Sequence, residues 1–331
     1  MKKLKIIILV IIAIILSSCT SKEKEAKELC KKGWEFIKKG EERVYIVLYD
    51  KANDCFDKAL AIIITPEAYA GKAYYYVLKK NFDEAIVWAT RSLAIDSVNN
   101  SKGLYVKGEI AREQKDYKIA LYYYQKQLEA SNNDTDKALA LRKISVAYWW
   151  LGENDKYFKF CEKAYELNPT DKFIMNNLAV AYHIRGYYEK SNDIYDKVIA
   201  ANFEKYTNAM VWTNKATNFS PLGMYAAAIF CCKKALEINP DYTPATFMLG
   251  RTFYYAKQYD SALIYLDKAR EVDSTYCDIY STKGETYQAM GKKYYPQAIA
   301  EYEKAIKYDA IGAFVQQFND SIASVKRQMR K

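Results

Sequence analysis

Residues 228–272 read AIFCCKKALEINPDYTPATFMLGRTFYYAKQYDSALIYLDKAREV, and this stretch carries one pattern twice. Ala228, Cys232, Ala235 and Leu236 are spaced by four, three and one residues; Ala262, Leu266 and Ala269 repeat the spacing 34 residues on. Ala298, Tyr302, Ala305 and Ile306 repeat it after a further 36. Offsets of three and four place these small and apolar side chains on one face of a helix. A second helical pattern lies between the copies: Thr246, Leu249, Gly250 and Phe253, with Gly284 and Tyr287 exactly one 34-residue period beyond Gly250 and Phe253. Each period therefore holds two helices.

Working backwards, the counterparts of Ala228 are Ser191, Tyr157, Ala120, Ala85 and Ala52, at spacings of 37, 34, 37, 35 and 33. The array from Gly33 to Ala310 covers 278 residues, or about 35 for each of eight units. That length holds two helices of about twelve residues and two turns. Composition agrees. Of 331 residues only 12 are Gly and 6 are Pro, too few for the turns of a β-sandwich or barrel, while 32 Tyr supply aromatic packing. No Pro-, Gly- or Ser-rich linker divides the chain.

The units resemble tetratricopeptide repeats. In that family the first helix carries a large residue, a Leu and small-residue pair, then an aromatic; the second carries Ala, an aromatic, a further Ala and a closing Pro. Trp212, Ala216, Phe219, Ala228, Ala235 and Pro240 fit one unit; Leu141, Ile144, Tyr148, Ala164 and Pro169 fit another; Met175, Leu178, Ala179, Tyr182 and Tyr195 fit a third. The resemblance implies an all-α fold: a right-handed α-solenoid of about eight helix-turn-helix repeats over residues 33–310. Tyr157 and Ser191 replace the usual Ala, which predicts a slight opening or register shift there. Spacings of 36–37 predict longer turns near Asn132–Asp134, Asn202 and Lys292–Lys293. The first helix of the first unit centres on Gly33 or on Gly40. Residues 311–331 place Ile311, Phe314, Val315, Phe318, Ile322 and Val325 at helical spacing and are expected to cap the last hairpin.

The chain begins with Lys2, Lys3 and Lys5, followed by the eleven apolar residues Ile6–Leu16. A membrane-spanning helix needs about 18, so the run reads as the core of an export signal. Leu16-Ser17-Ser18-Cys19 resembles a bacterial lipoprotein cleavage box. That resemblance implies a signal peptide over residues 1–18, lipidation of Cys19 (with palmitate or its equivalents) and a polar tether over 19–32. Several acyl chains hold a protein firmly on a bilayer. With Thr20 rather than Asp after the lipidated residue, the expected location is the bacterial cell envelope, anchored to the outer membrane.

Chemistry is sparse. His183 is the single histidine, so no His-rich metal site can form, and any Ser-His-Asp or Cys-His arrangement would depend on that imidazole alone. No phosphate-binding glycine loop, nucleophile elbow or zincin string occurs. The expectation is a non-enzyme without cofactor or metal. The cysteines beyond Cys19 show no disulfide-framework spacing, and Cys161 and Cys232 stand at core positions. Without residues 1–18 the charge balance is +7, spread over alternating Lys and Glu. This indicates solvated faces rather than a nucleic-acid surface.

In tetratricopeptide proteins the first helices line a concave groove. Mapping its places onto this chain collects Tyr74, Tyr105, Arg112, Arg142, Lys143, Trp149 and Trp150. Further on it collects Asn176, Asn177, His183, Asn214, Phe247, Arg251, Tyr254 and Tyr255. Rigid rings, Arg and Asn amides suit an extended peptide. Arg142, Asn177 and Asn214 stand at places related to the family's carboxylate clamp. Val146 and Met210 replace an Asn and a Lys that it needs, so the clamp is absent. The expected function is a lipid-anchored scaffold or adaptor that holds an envelope protein or peptide. The alternative is a glycan- or nutrient-binding surface lipoprotein that uses the same aromatics.

Overall fold

The structure, a computed structural model, describes residues 2–43, 46–201, 205–309 and 312–330, and side chains within 20–41, 46–201, 208–309 and 312–330. Among them there are helices and no strand. The chain divides into two compact units, 1–177 and 178–331.

Unit 1 contains α1 (Lys2–Arg43), α2 (Ile46–Ile62), α3 (Pro66–Leu78), α4 (Phe82–Ile95), α5 (Ser101–Glu113), α6 (Tyr117–Ala130), α7 (Asp134–Trp150) and α8 (Asn154–Leu167). The boundary lies within α9 (Lys172–Ile184). Unit 2 continues with α10 (Tyr188–Ala200), α11 (Lys205–Phe219), α12 (Tyr225–Ile238), α13 (Thr243–Tyr255) and α14 (Tyr259–Val272). It ends with α15 (Cys277–Met290), α16 (Tyr295–Tyr308) and α17 (Val315–Met329). Odd-numbered helices are the first members of the hairpins. Within each unit every hairpin packs on the next, and first helices also meet first helices, α3 with α5 and α5 with α7, α11 with α13 and α13 with α15. The first helices therefore line the inner side of each stack, and the fold is an all-α tetratricopeptide-type solenoid.

The repeat phase read from the second helices holds throughout. Ala52, Ala85, Ala120, Tyr157, Ser191, Ala228, Ala262 and Ala298 are all buried, and so is the residue four places after each. Small residues on the first helices admit large ones from the second. A Cβ on Gly108 would lie 2.4 Å from the Tyr124 ring, and one on Gly284 would lie 2.8 Å from Tyr302. Phe56 is held between two such positions, because a Cβ on Gly33 or Gly71 would come within 2.6 or 2.3 Å of its ring. Gly40 likewise faces Tyr49, so both glycines of α1 mark points of close approach.

Turns within hairpins share one geometry. A residue with positive φ stands at Lys80, Lys115, Gly152, Gly186, Gly223 and Lys257. The following amide donates to a carbonyl five residues back, as in Asn81 to Tyr76, Asp116 to Ala111 and Gln258 to Phe253. This is the Schellman closure of a helix C-terminus. The expected longer turn at Lys292–Tyr294 is a 3-10 turn. Asn132 and Asn133 lie in the turn before α7, whose N-cap is Asn133. Asn202 lies outside the described residues.

Two expectations need correction. The segment 20–32 is not a tether. It is part of α1, and Ala26 and Cys30 are buried against Ala59 and Ala68. Ala26, Cys30, Gly33, Ile37 and Gly40, spaced by four and three, form a continuous small and apolar stripe, so packing starts one turn or more before Gly33. In the cap, Phe318, Ile322 and Val325 pack with Tyr295, Ala298, Tyr302 and Ala305 as expected, but Phe314 is 46% exposed at the N-cap of α17. Ile311 and the side chains of residues 1–19, Cys19 among them, lie outside the described residues. At Tyr157 and Ser191, where the usual Ala is replaced, the hydroxyls donate to backbone, Tyr157 to the Asn177 carbonyl (2.8 Å) and Ser191 to the Ala179 carbonyl (2.7 Å).

Candidate functional site

On the inner side of unit 1, four successive first helices contribute to one polar and aromatic network. Tyr105 donates to the Tyr74 hydroxyl (3.0 Å), and Tyr74 donates to Glu41. Trp34 stacks on Tyr74 with ring centroids 5.7 Å apart. Tyr105 is 6% exposed, so only its edge reaches the surface, and burial pushes the phenols of Tyr74 and Tyr105 well up.

At the centre of the network is Glu109, which is 1% exposed. It pairs with Lys143 (2.8 Å) and Arg112 (3.1 Å) and accepts from the Tyr124 hydroxyl (2.5 Å). Burial pushes its carboxyl up, but Lys143 and Arg112 more than offset this and hold it at about 2. Arg112 also pairs with Glu113 (2.6 Å). Burial lowers Lys143 despite its partner.

Cations lie over rings both inside this network and at its edge. Lys102 lies over Trp34 (5.2 Å), Lys143 over Tyr105 (5.3 Å) and Arg142 over the exposed Phe173 (5.4 Å). Arg142 makes no ion pair with a described residue. Asn176 and Asn177 follow on α9, both half-buried, and Nδ2 of Asn177 is buried without a hydrogen-bond partner. Trp149 lies apart, at the C-terminal end of α7. It is exposed beside Trp150 (4.8 Å), and Trp150 is in turn stacked on Tyr117 at an interplanar angle of 5°.

In unit 2 the expected residues form two groups. Nδ1 of His183 meets Oδ1 of the buried Asn218 (2.7 Å). The Asn218 amide nitrogen donates to Ser191 (2.9 Å) and Asn192 (2.7 Å). Asn218 is thus oriented with its oxygen toward the imidazole, so Nδ1 is the nitrogen that donates to it. Asn214 stands one turn before Asn218, its side chain engaged by the Tyr195 hydroxyl. The other group is on α13. Arg251 donates to the Tyr255 hydroxyl (3.1 Å) and lies over that ring (5.4 Å), and Tyr254 stands beside Tyr255 with centroids 5.3 Å apart. Burial raises the Tyr254 phenol, with Glu285 of α15 adding to the effect.

Glu109, Tyr124, Trp34, Asn218 and Glu285 are the residues that sequence reasoning missed. Glu109 did leave a signal: a carboxylate in the largely apolar stretch LYVKGEIA, two residues after Lys107 and three before Arg112. The six described cysteines are free thiols, and burial raises Cys161 to about 12. A raised thiol is a poor nucleophile. No group of metal-ligating side chains occurs among the described residues.

Comparisons with known proteins agree with this geometry. Residues 209–242 match the family model for the tetratricopeptide repeat. The chain is similar to Photosystem I assembly protein Ycf3 of Prochlorococcus marinus strain NATL1A, 27% identical over 121 residues, 36% of this chain and 70% of that protein. For the counterpart in strain MIT 9215 the identity is 31% over 93 residues, 28% of this chain and 54% of that protein. Among solved structures, a tetratricopeptide repeat protein from Parabacteroides merdae superposes with a TM-score of 0.65 at 16% identity, covering 78% of this chain and 98% of that one. The pilF protein of Pseudomonas aeruginosa gives a TM-score of 0.54 at 15% identity, covering 68% and 96%. At these identities the structural likeness establishes the fold.

Proposed function

We propose that this chain is a lipid-anchored adaptor that holds a partner protein or peptide of the bacterial envelope against its inner helical face, without catalytic turnover. One observation carries the reading: on the first helices of unit 1, Lys102 lies over Trp34 and Arg142 over the exposed Phe173 ring. Rings held by packing bind at low entropy cost, and cations and amides beside them match backbone carbonyls and acidic side chains. The unpartnered Asn177 amide supports the same reading. The curated relatives bear a name that describes assembly, which fits a holding role for this chain in a different setting. Attachment through Cys19 and an outer-membrane location rest on the sequence of residues 1–20.

The test is crosslinking in living cells followed by recovery from detergent-solubilised envelope. A defined partner should be recovered with the native chain and lost with Arg142→Glu combined with Phe173→Ala. Unchanged recovery with that pair overturns the unit 1 site. Separately, Cys19→Ala should abolish palmitate labelling and membrane retention. A second reading, glycan binding, is favoured by the exposed Trp149 and Trp150 rings, with the half-buried Tyr117 stacked on Trp150, an arrangement that resembles a sugar platform. A glycan array with no binding at millimolar concentration would dispose of it.

A further inference from the structure

Between α13, α15 and the cap helix α17, wholly within unit 2, there is a cavity of about 150 Å³. Its apolar lining is aromatic: Phe247 from α13, and Phe314 and Phe318 from the cap. Its polar lining is Arg251 of α13, Asp278, Ser281, Thr282 and Glu285 of α15, and Gln317 of α17, and the charged groups among these are Arg251, Asp278 and Glu285.

The charges in this cavity are unbalanced. The Arg251 guanidinium is drawn toward Tyr255 on its own helix, to which it donates at 3.1 Å. No ion pair within 4 Å joins Arg251, Asp278 or Glu285 to any described residue. Asp278 is engaged by its neighbours Cys277 and Tyr276. Glu285 is half-buried, and no described residue makes a hydrogen bond to it. Burial pushes its carboxyl up, the neighbouring Asp278 adds to this, and Arg251 only partly opposes it. The pocket thus holds two carboxylates against one guanidinium in partly dry surroundings, where a second cation would be strongly attracted.

We infer that this pocket receives one arginine side chain of the bound partner, its guanidinium lying between Glu285 and Asp278 and its methylene stem against Phe247, Phe314 and Phe318. Size and chemistry agree, since a cavity of this volume admits one guanidinium on its aliphatic stem, and its fork of N–H donors meets carboxylates while its stem meets the Phe rings. The cap helix thereby gains a second task, because without its two Phe side chains the carboxylates would face open water. This inference rests on the adaptor reading and adds to it the chemistry of one contact.

The experiment is titration of the full chain, followed by calorimetry, with the acetylated, amidated pentapeptide Ala-Ala-Arg-Ala-Ala and its citrulline isostere, which has the same shape without the charge. The arginine peptide should bind in the millimolar range and the citrulline peptide at least tenfold more weakly. Glu285→Gln or Asp278→Asn should each cost about tenfold, as expected for a charge-assisted hydrogen bond. Arg251→Gln should instead tighten binding severalfold, because it removes the competing cation. Melting followed by circular dichroism checks that the variants fold, and either carboxylate variant suffices if the other does not. Equal binding of the two peptides, or weakening by Arg251→Gln, overturns the inference. Failure of the peptide experiment with an envelope partner still recovered refutes this contact alone. Peptide binding with no envelope partner recovered refutes the adaptor reading alone.

Discussion

Glu109 is the residue on which unit 1 depends most. Its carboxylate is the shared counter-charge of Lys143 and Arg112, and Arg112 alone has a second partner, Glu113. Glu109→Gln would leave Lys143 buried without its counter-charge. Removing one member of a buried pair costs about 3–5 kcal/mol, whereas replacing both by apolar groups costs little. The single variant should therefore show a strongly lowered thermal midpoint, and Glu109→Gln with Lys143→Met should recover most of it. The sign of the pH effect follows from the lowered carboxyl. Its contribution is complete above the ordinary value of 4.5 and is lost as pH falls toward about 2. The stability gap between native chain and Glu109→Gln, measured by urea titration, should hold from pH 7 to pH 5 and shrink below that. A gap independent of pH would show that packing, not charge, is the source.

At the scale of the element, the hairpin turn and the helix crossing each yield a prediction. Six hairpin turns close in the Schellman geometry with a residue at positive φ, three of them Gly and three Lys. A residue with a Cβ pays a steric penalty there that glycine avoids, while glycine loses more entropy on folding. The balance favours Gly by about 0.5–1 kcal/mol. Lys115→Gly and Lys257→Gly should each raise the melting midpoint by a few degrees; Lys80 is a poorer choice because its ammonium pairs with Glu113. The opposite holds at Gly71, whose added methyl would lie 2.3 Å from the Phe56 ring. Gly71→Ala improves helix propensity, yet Phe56 is already confined by Gly33 on its other side, and overpacking of this kind costs about 1–3 kcal/mol. Its midpoint should fall, and Phe56→Leu in the same chain should restore part of the loss. These contacts also show what was legible beforehand. The alternation of small residues on first helices with large ones on second helices is a matter of spacing, so Ala228, Gly250 and Tyr302 could be placed without coordinates. The Glu109–Lys143 and His183–Asn218 contacts join residues 34 and 35 apart on successive first helices, and their side-chain orientations are set by packing that periodicity does not encode.

At the scale of the whole molecule, a stack in which each hairpin touches only its neighbours has stability that is nearly a sum of local contributions. The cap helix α17 meets α16 and covers Tyr295, Ala298, Tyr302 and Ala305 through Phe318, Ile322 and Val325. Deleting residues 315–331 would return that apolar face to water. Burial of three such side chains contributes about 1.5–3 kcal/mol each, so the last hairpin should loosen markedly. In a one-dimensional array the damage should fade with distance. Hydrogen exchange followed by mass spectrometry should show α15 and α16 exchanging faster on truncation, α13 and α14 less so, and α3 to α8 unchanged. Uniform acceleration across both units would mean that the chain unfolds as one cooperative body, which this pattern of neighbour-only packing does not support. The same truncation removes Gln317 and Phe318 from the acidic cavity, so loss of arginine-peptide binding should accompany the local loosening while binding to the inner face of unit 1 persists.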